Sequence, residues 1–225
     1  NMFVLEPIPS LMRGYSRIGD SVLRRNCSNI SAVLASIQEN SPDDWQKFCD
    51  IIESLPENEI QGISFVKTTI NDVILIQKEQ NGKSTENIDA TRLSDGTLRC
   101  IAVLAAVISE PEHSLIAIEE LDNGIHPSRI IKLIKSLCEI AQRRKIDLVL
   151  TTHNVTVLNG LSKEDVLGVS VVYRDKETQA SRIVPFVEIE NQAGILASGG
   201  IGTAMESERL LDEIKNEKEI VPFDF

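Results

Sequence analysis

The stretch Leu115-Ile116-Ala117-Ile118-Glu119-Glu120-Leu121-Asp122-Asn123-Gly124-Ile125-His126-Pro127 decides the fold class. Ser114 to Ile118 is a short apolar run bounded by polar residues, which reads as a buried strand. Two carboxylates follow it directly. Side chains alternate along a strand, so the pair faces different ways. One acid of such a pair can hold a hydrated Mg²⁺ while the other orients an attacking water. Adjacent acids also occur as a plain solvated strand end, and both readings stand at this point.

Working outward, Ser128 to Gln142 carries Ile130, Leu133, Ile134, Leu137 and Ala141 at helical spacing. Asp147 to Thr152 reads as a second buried strand, and Leu98 to Ile108 as an almost wholly apolar helix. Helix, strand, helix, strand with short apolar strands implies an α/β fold whose parallel strands are covered on both faces. Such sheets bind ligands at the carboxyl ends of their strands. The second strand ends in Thr151-Thr152-His153-Asn154. A histidine there can reach a phosphate gathered between strand ends; a structural histidine is the plainer alternative. Upstream, Leu93-Ser94-Asp95-Gly96-Thr97 precedes the apolar helix. Ser94 is an N-cap, Gly96 lets the backbone approach a ligand closely, and a helix N-terminus favours anions. A capped turn with no ligand has the same composition.

The three motifs together, in this order, resemble the ATPase heads of the ABC type. Leu93 to Thr97 resembles the signature motif, Leu115 to Pro127 a Walker B strand running into a D-loop, and Thr152-His153-Asn154 the switch histidine. The spacing resembles the RecF, SMC and OLD-like branch rather than transporters, and Gly-Ile-His-Pro after the acids is most similar to AAA-type ATPases of bacterial antiphage defence such as the Septu ATPase. The resemblance covers about Arg92 to Leu161. It implies a P-loop NTPase-like parallel sheet with ATP and Mg²⁺ as cofactors. It further implies that Ser94, Asp95, Gly96 and Thr97 meet ATP held by an opposing copy. Glu119 would hold the Mg²⁺ shell through water, Glu120 would polarise the water, and His153 would contact the γ-phosphate. Asn123 and Gly124 would cross the dimer interface. The implied partners are a second copy, a separate effector such as an HNH-type nuclease, and nucleic acid. Two departures stand out. Glu119 occupies a position where the wider family usually has Asp. The phosphate loop G-x-x-x-x-G-K-[ST] is absent, since Gln77 stands where the upstream glycine of Gly82-Lys83-Ser84-Thr85 would be. The latter stretch reads as a turn, and the phosphate-loop lobe is expected elsewhere in a parent polypeptide or on another chain.

The remaining sequence divides into residues 1–60, mostly helical; 61–188, the lobe with the motifs; and 189–225, a helical tail. Gly62 to Lys67 and Asp72 to Lys78 alternate as strands, Glu79 to Asn87 reads as a loop or hairpin turn, and Val166 to Tyr173 with Arg182 to Val187 as a late strand pair. Arg13, Arg17 and Arg24 share helical spacing, with Arg25 adjacent. They form a stripe for nucleic acid or acidic partners, or a solvated face. His126 suits a D-loop or packing role better than metal ligation. Phe223 and Phe225 end an acidic tail that either docks a partner or covers the core.

Composition bounds these readings. The 225 residues are 42% hydrophobic and carry a net charge of -11, which fits a globular domain and argues against nucleic-acid binding over the whole surface while leaving a local basic groove open. No apolar run approaches the ~18 residues of a membrane span. The four cysteines lack metal spacing and read as reduced thiols, so a cytoplasmic location is expected. Asn1 ahead of Met2 reads as a cloning scar or a chain cut from something longer. Three functions remain open: an ATPase head controlling a nuclease or nucleic-acid partner in antiphage defence, a non-catalytic nucleotide-gated scaffold, and a DNA-repair ATPase of the RecF or SMC kind.

Overall fold

The computed structural model describes residues 1–56, 60–175 and 178–216. The chain forms two compact units, Asn1–Thr152 and His153–Phe225. Phe223, Phe225 and the end of the acidic tail lie outside the described residues.

The first unit runs β1 (Met2–Leu5), α1 (Pro9–Met12), β2 (Ser16–Arg17), α2 (Ile30–Asn40), α3 (Pro42–Ser54), β3 (Ile60–Lys67), β4 (Asp72–Asn81), β5 (Ser84–Asp89), α4 (Asp95–Ser109), β6 (Leu115–Ile118), α5 (Pro127–Arg144) and β7 (Asp147–Leu150). Strands β1, β6 and β7 form a parallel sheet in that order, with Phe3 beside Ile116 and Ile116 beside Leu148. The α/β class and the parallel sheet are as expected. The first sixty residues, read as mostly helical, also supply β1, whose four residues are too few to show a period. Strand β7 was expected to be buried, yet it lies at the edge of its sheet and Val149 is 50% exposed.

A second, antiparallel sheet pairs β4 with β3 over most of its length, with β2 at its start and β5 at its end. Helix α2 packs its small face, Ala32 and Ala35, on Val73 and Phe65 of this sheet. Trp45 of α3 stacks on Phe48 at 5.4 Å and tilts against Phe65 at 5.6 Å. Helix α4 is the axis of the unit. From Gly96 to Ile108 only Arg99 is not buried, because α1, α2, α3, α5 and β6 all pack on it. A helix apolar all round is stable only in such a position.

The second unit runs α6 (Val155–Asn159), β8 (Ser170–Arg174), β9 (Ser181–Pro185), α7 (Gln192–Ala197), α8 (Ile201–Glu206) and α9 (Arg209–Asn216). Strands β8 and β9 form the expected late antiparallel pair. Val166, Val184, Phe186, Ile189, Ile195, Ile201, Leu210 and Ile214 share a separate core. The charged helix expected from Thr203 is broken at Ser207-Glu208, where Glu208 adopts a left-handed backbone. Among the described residues no helix is long and apolar enough to cross a membrane.

Candidate functional site

Strand β6 delivers its acids to the carboxyl end of the parallel sheet, and both Glu119 and Glu120 are exposed there. The alternation expected of the pair ends with the strand at Ile118. Glu120 has φ +46°, a left-handed conformation that L residues other than glycine rarely take. The turn is closed by the Asn123 amide donating to the Glu120 carbonyl at 2.9 Å and the Ile125 amide donating to Asp122 at 3.0 Å. Asn123 Nδ2 also donates to Glu120 Oε2 at 3.4 Å. Asp122 is buried, and its Oδ1 accepts from Thr152 Oγ1 at 2.6 Å. The Glu120 amide donates to Thr151 Oγ1 at 3.0 Å.

Ser94 caps α4 as its sequence position implies, accepting the Thr97 amide at 3.1 Å. Its hydroxyl also lies 2.9 Å from that of Thr97. Asp95 falls in the first turn, where a carboxylate complements the helix dipole. It is taken up by Arg13, whose Nη2 donates to Asp95 Oδ1 at 2.5 Å and to the Leu93 carbonyl at 2.8 Å. The buried Arg129 of α5 donates to Thr97 Oγ1 at 3.4 Å and to the Pro56 carbonyl at 2.8 Å.

The structure brings two of the motifs together directly. A Cβ on Gly96 would stand 2.3 Å from the Gly124 carbonyl oxygen. The glycine expected to admit a ligand is therefore required by the chain itself, which packs the first turn of α4 against the loop after β6. Gly124 adopts φ +72°, the conformation glycine takes at least cost. Ser94, Asp95, Gly96, Thr97, Glu119, Glu120, Asn123 and Gly124 all belong to the first unit. His153 opens the second unit and is exposed, and Asn154 caps α6 by accepting the Thr156 amide at 2.9 Å.

His126 acts as the N-cap of α5, its Nδ1 accepting from the Ser128 amide at 3.3 Å. Among the described residues no group of three or more His, Cys, Asp and Glu is gathered around one point. Two exposed carboxylates suit an ion that keeps most of its waters, as Mg²⁺ does. The four arginines expected at helical spacing do not share a helix: Arg13 follows α1, Arg17 lies on β2, and Arg24 and Arg25 stand in the segment between β2 and α2. Each has an acidic neighbour, Arg13 with Asp95, Arg24 with Asp20 at 2.7 Å, Arg25 with Glu6 at 3.0 Å, and Arg17 with Asp72 at 3.8 Å beside the Ile70 carbonyl at 2.8 Å. The Gly82-Lys83 pair is the turn of the β4–β5 hairpin, with Asn81 paired to Ser84. A phosphate loop joins a strand to a helix, so this turn is not one. Sequence reading passed over Thr151, whose hydroxyl meets the acid turn; a threonine at a strand end carries no local signal of that.

A family model described as "AAA domain, putative AbiEii toxin, Type IV TA system" matches residues 31–159. No curated protein matches the chain. Among solved structures it is similar to an SMC head bound to the C-terminal winged-helix domain of ScpA, at 11% identity and TM-score 0.51, covering 80% of this chain and 54% of that one. It is also similar to the SMC head domain with an extended coiled coil bound to the C-terminal domain of ScpA from Pyrococcus furiosus, at 10% identity and TM-score 0.44, covering 81% of this chain and 40% of that one. The chain thus spans 40% to 54% of the length of these two structures, and at such identity the first of them shows a shared fold.

Proposed function

The chain belongs to that family of AAA domains, and from this premise we propose that it is the signature-and-acid half of an ATPase head. Two heads would close on ATP, hydrolyse it, and use the cycle to control a nuclease or nucleic-acid partner in antiphage defence. The observation that carries the reading is the contact of Gly96 with Gly124. It holds a capped helix N-terminus and the loop after the acids as one piece, so that one head would offer the first to nucleotide held by an opposing copy and the acids to its own.

The residues present fit part of an ATP site. Ser94 and the first turn of α4 offer a hydroxyl and helix amides to phosphate. Glu119 would hold Mg²⁺ through water, and the longer side chain than Asp favours that indirect contact. Glu120 would accept a proton from water or orient it, and His153 would contact phosphate. The metal, when bound, neutralises developing phosphate charge. Asn123 and Gly124 are exposed on the acid turn and available to a second copy. The lysine and amides of a phosphate loop have to come from another lobe. Strand β7 is an unpaired edge among the described residues, and its free backbone groups offer a strand of that lobe a place to pair.

Turnover of ATP by the full-length protein, wild type against Glu120→Gln, tests this, with mass photometry on both. Loss of turnover together with a nucleotide-locked dimer is the expected result. A wild type inert with Mg²⁺ and with Mn²⁺, both with and without nucleic acid, overturns the catalytic reading. It leaves the nucleotide-gated scaffold, which the Glu119 departure also favours.

A further inference from the structure

We propose that Thr151 is the positioning residue of the acid turn, its hydroxyl holding Glu120 in the backbone conformation that hydrolysis would use. Thr152 steadies the same turn from the next position. The catalytic part of this statement rests on the ATPase reading above; the clamp itself does not.

The β6–β7 ladder pairs Ile118 with Leu150 and then changes character. The Thr151 amide donates to the Ile118 carbonyl at 3.1 Å, and the Leu121 amide donates to the Thr151 carbonyl at 3.2 Å. Between these two backbone bonds stands Glu120, turned into the left-handed region. Its amide finds a side chain instead of a carbonyl, the Thr151 hydroxyl at 3.0 Å. One residue further, the Thr152 hydroxyl donates to buried Asp122 at 2.6 Å. Three consecutive residues of the turn, Glu120, Leu121 and Asp122, are thereby tied to two consecutive residues beyond β7.

This clamp has a physical reason. A left-handed glutamate is strained, and such strain persists only where neighbours over-determine it. Glycine would occupy the position without that cost, but it would carry no carboxylate. The Thr151 oxygen gives the Glu120 amide a fixed protein acceptor where water would otherwise serve, and in doing so holds the Cα–Cβ direction of that residue. A general base acts only from within hydrogen-bond reach of its proton, so a shift of about 1 Å in that direction costs rate rather than substrate affinity.

Two conservative changes in the full-length protein test it. Thr151→Val keeps shape and removes the acceptor; Thr151→Ser keeps the acceptor. The expected result for Thr151→Val is a kcat about tenfold lower with KM for ATP within about twofold, while Thr151→Ser stays within about threefold of wild type. Hydrogen exchange read on peptides spanning 118–122 provides a second measure that needs no turnover. Exchange there should quicken in Thr151→Val and stay at the wild-type rate in Thr151→Ser. Equal losses of kcat in both variants, or unchanged exchange in Thr151→Val, would overturn the clamp. Quickened exchange with no change in kcat, in an enzyme whose wild type turns over, keeps the clamp and removes its part in catalysis. A wild type with no turnover removes the catalytic claim together with the ATPase reading, and exchange then decides the clamp alone.

Discussion

Gly96 is the residue on which two motifs depend, and its substitution is read by packing. A methyl there meets a backbone oxygen at 2.3 Å, which no rotamer change relieves. Gly96→Ala is expected to cost about 1–3 kcal/mol, as overpacking does, and to lower the urea midpoint. Gly124→Ala, where a new Cβ meets nothing nearer than Arg99 at 3.9 Å, is expected to lose only the left-handed penalty of about 1–2 kcal/mol. Equal stability of Gly96→Ala and wild type would refute the contact. The cysteines give a pH prediction. Burial pushes the Cys27 thiol from 9.0 up to about 12, and those of Cys49 and Cys100 up to about 11, with nearby Glu53 and Asp50 adding to the Cys49 shift. Because the folded state favours the neutral thiol, this contribution is fully present below the unfolded value near 9. It is lost as pH rises through 11 and 12. Urea midpoints should therefore fall above pH 9, and Cys27→Ala should flatten part of that fall. Iodoacetamide at pH 8 should label exposed Cys138 well ahead of the other three, counted by mass spectrometry.

At the scale of elements, the hairpin of β4 and β5 separates a motif from its appearance. Lys83 lies on a turn of the antiparallel sheet, so Lys83→Ala is expected to leave ATP turnover by the full-length protein within about twofold of wild type, the range of an ordinary surface change. A tenfold loss would place that lysine at phosphate and return the hairpin to the site. The elements that were legible in the sequence are those whose signal is local. The periodicity of α5, the apolar run of α4 and the alternation of β3 and β4 each arise within one segment. So do the Ser94 cap and the Gly-Lys turn. What was not legible depends on partners distant in the chain. Strand β1 becomes a strand because β6 pairs with it. The helical spacing of Arg13, Arg17 and Arg24 dissolves because a strand and two loops carry them, and each meets an acid, Asp95, Asp72 or Asp20, that no local pattern announces. The Thr151 contact with Glu120 joins residues from two strand ends, and the left-handed turn at Glu120 hides behind what reads as an unbroken run out of a strand.

At the scale of the molecule, each unit has its own core, and among the described residues the first unit's parallel sheet has two unpaired edges, at β1 and at β7, the strand whose end meets the acid turn. The β7 edge separates the chain described from the head proposed for it. Val149 is half exposed on β7, where replacing it costs little if water is its permanent neighbour. Val149→Lys in this chain alone is expected to change stability by no more than about 0.5 kcal/mol, as surface changes usually do. In the full-length protein the same lysine would be trapped under the phosphate-loop lobe. An unpaired charge taken out of water is destabilising by several kcal/mol unless it escapes or neutralises. Thermal melting of the full-length variant should then drop while that of the chain does not, and ATP binding by calorimetry should fall with it. Equal tolerance in both would mean that β7 faces solvent in the whole protein. The phosphate loop would then have to reach the acids from a different side, and the head proposed here would need another geometry.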